Sequence, residues 1–260
     1  VSLNQQILEL LPNSLRAIGK SLLYDKEIEA RQDYANTVSI KRLGYNDHGD
    51  VHMRIVVLNA IRMALILQKR GIALTLEREG IGTAEDSLFV LLVSGLLHDI
   101  GMGITRTMHE HYTAWLMKDR IQRVVTEYEP DHLFKRIAIE TMIYECLIGH
   151  MGTIQTFSYE SGLILIADGC DMAEGRARIP LLIDSPSKRG DIHKYSAHAI
   201  DKVDIRAGDD CPIYICVSII ESAGFFQIEE VLLPKLAMSP ARGFCKVQAI
   251  YDNQIKTYNL

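Results

Sequence analysis

Over most of the chain the apolar positions recur at the helical period, and towards the C-terminus they give way to short β-branched blocks. Leu3 to Leu11 is a short amphipathic segment stopped by Pro12. Leu15 to Arg31 continues helically, ahead of an irregular stretch from Asn36 to Asp50. Val51, Ile55, Leu58, Ile61 and Leu65 make one apolar stripe, which predicts a helix from Val51 to Arg70 with Gly71 as its stop. Asp86 to Asp99 is apolar nearly all round and predicts a central buried helix, ended by Gly101 and Gly103. His109 to Tyr128 predicts an amphipathic helix terminated by Pro130. Asp131 is placed to cap the next helix, which runs to about Gly149. Ser158 is placed to cap another, through Asp168 to Glu174, with Gly175 as its stop.

The pattern changes after Pro180. Ile179 to Lys194 reads as a loop, while Ala199 to Arg206 and Pro212 to Ile220 read as strands. Phe226 to Met238 reads as a helix that Pro234 kinks or delays, and Phe244 to Tyr251 as the last strand. The predicted fold class is therefore mainly α: a helical bundle over residues 1–185, followed by a small α+β module over 186–260.

Composition narrows the function classes. The 260 residues suffice for one large domain, and their net charge of −5 argues against binding along a phosphate backbone, so no nucleic-acid partner is expected. The longest apolar run, Leu88 to Leu97, is too short to cross a bilayer, so no membrane partner is expected. Five cysteines without a C-x-x-C pair read as small core residues in a reducing compartment. With no basic, apolar leader visible, the expected location is the cytoplasm, and Val1 reads as a start that lacks its initiator Met. The motifs G-x-x-x-x-G-K-[ST], H-E-x-x-H and G-x-S-x-G are all absent.

The candidate chemistry lies in histidines and carboxylates at predicted helix ends. His98-Asp99 closes a helix so apolar that both side chains need partners. His48 and His52 share one helical face, His109 and His111 open a helix, His150 closes one, and Asp168 emerges from the apolar run Leu163 to Ala167. A single histidine on a helix is most often a satisfied core or surface residue, so only the ordered set points to a site. Imidazole with carboxylate and no cysteine suits Fe, Mn, Co, Ni or Zn.

This order resembles the HD-domain metal-dependent phosphohydrolases. The resemblance covers roughly residues 45–180 and rests on His52-Met53-Arg54-Ile55-Val56, Leu96-Leu97-His98-Asp99-Ile100-Gly101 and Ile166-Ala167-Asp168. It implies one or two divalent ions (Mn, Fe, Co, Ni, Zn or Mg). His52, His98, Asp99 and Asp168 would hold the first, His109 and His150 would add the second, and Asp99 would bridge them. His48 stands where some members carry a general-acid histidine and others a ligand, and both roles stay open. Two departures bear on this. Met102 stands where Ile-Gly-Lys is common after the doublet, and His150-Met151 stands where many two-metal members carry His-His, so a single-metal site also stays open. The glycine-tyrosine-proline signature of the cyclic-di-GMP branch is absent after His150. The run Asp171 to Pro180 is similar to an archaeal-type group of HD proteins.

The implied activity is hydrolysis of a nucleotide or related phosphate ester by a metal-activated water, with Asp99 and His48 as catalytic residues. Arg176, Arg178, Arg54 and Lys194 are the candidate cations for the phosphate oxygens, although exposed arginines often serve only in surface pairs such as Arg176 with Asp171 or Glu174. The alternative is a regulatory protein that binds metal or nucleotide without turnover. Exposed strands in the C-terminal module also make a homodimer an expectation.

Overall fold

A computed structural model describes residues 1–45, 47–172, 196 and 198–258. The protein is mainly α with a small C-terminal α+β part. The loop expected over Ile179 to Lys194, the stop at Gly175 and the boundary near residue 185 lie outside the described residues.

Helices α1 (Leu3–Leu10), α2 (Asn13–Leu23) and α3 (Lys26–Thr37) open the chain. The continuous helix expected from Leu15 to Arg31 is in fact two. The Asp25 carboxylate accepts from the backbone N–H groups of Glu27 and Ile28 and so starts a new helix. Part of the stretch expected to be irregular is also helical: α3 runs to Thr37, and a π-helical turn, Val38–Leu43, follows it to Gly44.

Helix α4 (Asp50–Lys69) is nearly the one predicted, but its buried surface is wider than the predicted stripe and omits Val51. Val51 is 48% exposed, whereas His52, Met53, Val56, Val57, Ala60, Met63, Ala64 and Leu67 are buried. Of the predicted stripe Leu58 and Ile61 are buried, and the buried surface spreads beyond it because α1, α6 (Ala84–Leu97) and α9 (Tyr159–Cys170) all pack on α4. A single-turn helix, α5 (Thr75–Arg78), lies between α4 and α6.

Helix α6 is the central element. Thr83 and Asp86 form a capping box at its start, and every residue from Asp86 to Leu97 is buried. With the 3₁₀ turn Ile100–Gly103, this segment is long and apolar enough to cross a membrane, yet the fold buries almost all of it. Gly95 permits the close crossing with α4, since a Cβ there would lie 2.6 Å from Val57 Cγ2.

Helices α7 (His109–Tyr128), α8 (Leu133–Gly149) and α9 complete the bundle. Asp131 is not the cap of α8. That position falls to His132, with no side-chain cap, while Glu129 accepts the His132 N–H. Ser158 does cap α9, accepting from the Ser161 N–H, but α9 ends at Cys170 rather than Glu174.

The C-terminal sheet has the order β1 (Ile200–Ala207), β2 (Ile213–Ile219), β3 (Cys245–Tyr251), β4 (Gln254–Tyr258). Its outer pairs are antiparallel, and β2 runs parallel to β3. A parallel pair requires a crossover. Here it comprises α10 (Gly224–Gln227), the π-helical turn Ile228–Leu232 and α11 (Leu233–Met238), with Pro234 in the first turn of α11. Pro234 falls within one continuous helical run, directly after the π-helical turn, where it has no N–H to donate.

Strand β4 was not expected from the sequence. It is reached through Asp252 and Asn253, both at positive φ (48° and 58°), which suits a two-residue hairpin although neither is glycine. The five cysteines are buried free thiols, as the sequence implied. Buried residues of the bundle and of the C-terminal sheet belong to one contiguous apolar cluster.

Candidate metal centre

The predicted ligands come from the ends of five helices. His52 lies in the first turn of α4, His98 follows α6 and Asp99 comes next. His109 begins α7, His150 follows α8 and Asp168 lies in the last turn of α9. All six are buried. Folding buries these side chains because each helix end points into the bundle.

Asp99 organises the centre. Its Oδ2 lies 3.3 Å from His52 Nε2 and 3.4 Å from His98 Nε2. Its Oδ1 lies 3.0 Å from His109 Nε2 and 3.3 Å from His150 Nε2. Asp168 Oδ1 joins the first group, 3.3 Å from His52 Nε2. His52, His98 and Asp168 bring one ligand atom each within 4.8 Å of one another, and so do His98, Asp99 and His150.

The outer nitrogens of the rings set the chemistry of the inner ones. His98 Nδ1 is 2.9 Å from the Gly95 carbonyl, His109 Nδ1 is 3.0 Å from that of Arg106, and His150 Nδ1 is 2.6 Å from that of Leu147. In each case the carbonyl lies three residues earlier in the chain. His52 Nδ1 is 2.6 Å from Asp171 Oδ2. Carbonyls and carboxylates only accept, so Nδ1 carries a hydrogen, and in the neutral ring Nε2 then presents a lone pair. Two such pairs face each other, His52 with His98 and His109 with His150, each at an Nε2–Nε2 distance of 3.1 Å. In the neutral rings these lone pairs oppose and repel each other, and a cation between them relieves the repulsion. The donor set therefore fits a divalent ion, and these buried clusters can hold one.

Electrostatics point the same way. Burial alone would raise the Asp99 carboxyl, but His98, His109, His150 and His52 outweigh it and hold Asp99 well below the usual carboxylate range. Asp168 behaves alike: burial raises it, while Lys235 and His52 bring it well below. Burial pushes the His150 imidazole down to about 4, against the attraction of the Asp99 carboxylate. The carboxylates are thus held charged and His150 neutral, the forms in which they bind a metal.

The turn after the doublet is fixed by Thr113. Its Oγ1 accepts the Gly101 N–H at 2.8 Å and donates to the His98 carbonyl at 2.9 Å. Only glycine fits at position 101, since a Cβ would lie 1.9 Å from the His109 carbonyl oxygen.

The remaining candidates separate. His48 stands beside the centre, its ring 5.8 Å from that of His52 and its Nδ1 2.8 Å from Ser39 Oγ. Arg54 does not serve the site. Its guanidinium donates to Asn4 Oδ1, Gln32 Oε1 and the carbonyls of Asp50 and Leu23, tying α1, α2 and α3 to α4. Two residues further along a helix from His52, it points well round the axis from the ligand. His111 is more than a third exposed and is not in the cluster. Arg176, Arg178 and Lys194 lie outside the described residues.

Two participants were missed by the sequence reading. Asp171 orients His52, and its place one turn after Asp168 was the available signal. Lys235, whose ammonium pairs with Asp168 Oδ2, carried no signal, lying 67 residues away in the chain.

Uncharacterized protein MJ1020 of Methanocaldococcus jannaschii is 37% identical to this chain over 246 residues, a span covering 93% of each protein. No family model and no solved structure matches the chain. At that identity over nearly the whole length, the chain belongs to the same family as the M. jannaschii protein.

Proposed function

We propose that the protein is a metal-dependent phosphohydrolase of the HD type, acting on a nucleotide or a related phosphate ester. The observation that carries this reading is the division of Asp99. One carboxylate oxygen faces His52 and His98, and the other faces His109 and His150. A carboxylate so placed suits a pair of ions, with His52, His98 and Asp168 on one side and His109 and His150 on the other. Bound divalent ions supply an activated water near neutral pH and offset charge that develops on phosphorus oxygens.

The chain's own residues have distinct tasks. The four imidazoles direct Nδ1 to outer acceptors, so that in the neutral rings Nε2 is the nitrogen that would bind an ion. Asp99 and Asp168 supply negative charge in a site from which the surrounding apolar helices exclude bulk water. His48, held at Nδ1 by Ser39 beside His52, would give a proton to a leaving oxygen or serve as a further ligand.

The test is metal content by elemental analysis of protein purified without chelator or nickel resin, followed by assays of phosphate monoesters and diesters with Mn(II) or Co(II). About two ions per chain is the expected result, together with phosphoester turnover that Asp99→Ala abolishes. Metal uptake without turnover of any nucleotide ester would favour a regulatory binding protein. A chain that takes up no Mn, Fe, Co or Zn sinks the proposal.

A further inference from the structure

Lys235 belongs to α11 of the C-terminal part, yet its ammonium reaches the metal centre. Nζ donates to Asp168 Oδ2 and, at 3.0 Å, to the carbonyl oxygen of His150. It therefore touches a candidate ligand from each side of Asp99, and its side chain is only 14% exposed.

The approach is built into α9. Gly162 and Gly169 lie seven residues apart, two turns along one face. A Cβ on Gly169 would lie 3.2 Å from Lys235 Cδ and 3.3 Å from Leu232 Cδ1. On Gly162 it would lie 2.6 Å from Ser239 Oγ and 2.9 Å from the Ala241 nitrogen. Without side chains there, α11 and the residues after it lie close on α9, and the stem of Lys235 crosses Gly169 to the carboxylate of the preceding residue. Ser239 Oγ donates to the Gly162 carbonyl at 3.1 Å and fastens the far end.

Lys235 does not stand in the place of an ion. The inward donor atoms on that side are His52 Nε2, His98 Nε2, Asp99 Oδ2 and Asp168 Oδ1, and Lys235 takes the other oxygen of Asp168. A carboxylate with both oxygens free can swing or bind through both, whereas a charged hydrogen bond on one oxygen fixes its direction.

We propose that Lys235 is a positioning residue of the metal centre: it holds Oδ2 so that Asp168 ligates through Oδ1 alone, and the centre is complete only with the C-terminal part docked. This rests on the metal-binding reading above.

The test compares full-length wild type, Lys235→Met and Lys235→Arg by equilibrium dialysis against Co(II) and by the visible absorption of bound Co(II). Removing the charge is expected to weaken Co(II) binding about 10- to 100-fold. It is also expected to weaken the absorption band, because a second carboxylate oxygen raises the coordination number. Lys235→Arg, which keeps a charged donor, is expected to recover most of both. Melting of the metal-free proteins verifies the fold. Should Lys235→Met not fold, Lys235→Gln, which keeps part of the stem without the charge, carries the same comparison. A folded, uncharged variant that binds Co(II) as tightly as wild type with the same spectrum, or more tightly, overturns the role of Lys235 while leaving the centre intact. Wild-type protein that binds no Co(II) overturns the metal reading and this role with it.

Discussion

Asp171 and Arg54 both lie within a few residues of a predicted ligand, and the tertiary structure gives them opposite parts. Asp171 holds His52 Nδ1 and so aims Nε2 at the centre. Asp171→Ala is expected to weaken Mn(II) or Co(II) binding about tenfold with little change in the circular dichroism spectrum; calorimetric titration checks this. Arg54 instead fills a buried polar seam between helices. Arg54→Met takes this donor from Asn4 Oδ1 and Gln32 Oε1, while the Leu23 carbonyl keeps Asn4 Nδ2, and it is expected to cost about 2–4 kcal/mol of stability. Urea unfolding measures that loss, and metal stoichiometry should stay as in wild type. Had Arg54 been the phosphate contact that its sequence position suggested, the result would be reversed: normal stability and impaired substrate binding. The six residues of the candidate centre were legible in part because polar groups closing apolar helices, such as His98-Asp99 and Asp168, are chemically conspicuous, and in part through the family resemblance. The direction of Arg54 was not, because helical period alone does not say which face is covered when neighbours pack on several sides.

At the scale of elements, the centre depends on where helices stop. His98, His109 and His150 each turn Nδ1 back to a carbonyl three residues earlier, so the geometry of a helix end or entering turn determines the tautomer. The start of α6 shows how such an end is secured. Asp86 accepts from the Thr83 N–H and the Tyr128 hydroxyl and pairs with Lys135, linking α6 to α7 and α8. Asp86→Ala is expected to cost about 2–3 kcal/mol, from the lost cap and the buried partners left behind. Burial raises the Asp86 carboxyl, but Lys135, Tyr128 and Thr83 together bring it below its ordinary value of 3.8. A lowered carboxyl contributes its full stabilisation above that ordinary value and loses it as the pH falls through the folded value. The gap between wild type and Asp86→Ala should therefore be constant near neutrality and narrow below about pH 4; urea midpoints across that range check it. Helix starts such as Ser158 and the Thr83–Asp86 box were readable because a cap is a local signal. The break at Asp25 was equally local and was overridden by continuous periodicity, and the β3–β4 hairpin was hidden because Asp252-Asn253 turns without glycine.

At the scale of the whole molecule, the bundle and the C-terminal part share one apolar cluster, and the candidate centre gathers five helix ends within the bundle. A ligand that binds only such an assembled site stabilises the folded state by mass action. At 100 times its dissociation constant, a bound ion should add about 2.7 kcal/mol to the unfolding free energy; thermal melts with and without Mn(II), and after chelation, measure it. An unchanged midpoint would separate the histidine cluster from metal binding. The sequence by itself determined the mainly helical class and the C-terminal strands other than β4, which rest on local periodicity and β-branched blocks, and it singled out the six buried His and Asp residues of the candidate centre by type and by family resemblance. Only the tertiary structure decided which Asp99 oxygen faces which histidines, that Asp171 contacts His52 and Lys235 contacts Asp168, and that Arg54 bonds elsewhere. Those facts are distances between side chains far apart in the chain. They are fixed by how helices cross and by which glycines let them approach, and a linear pattern carries neither.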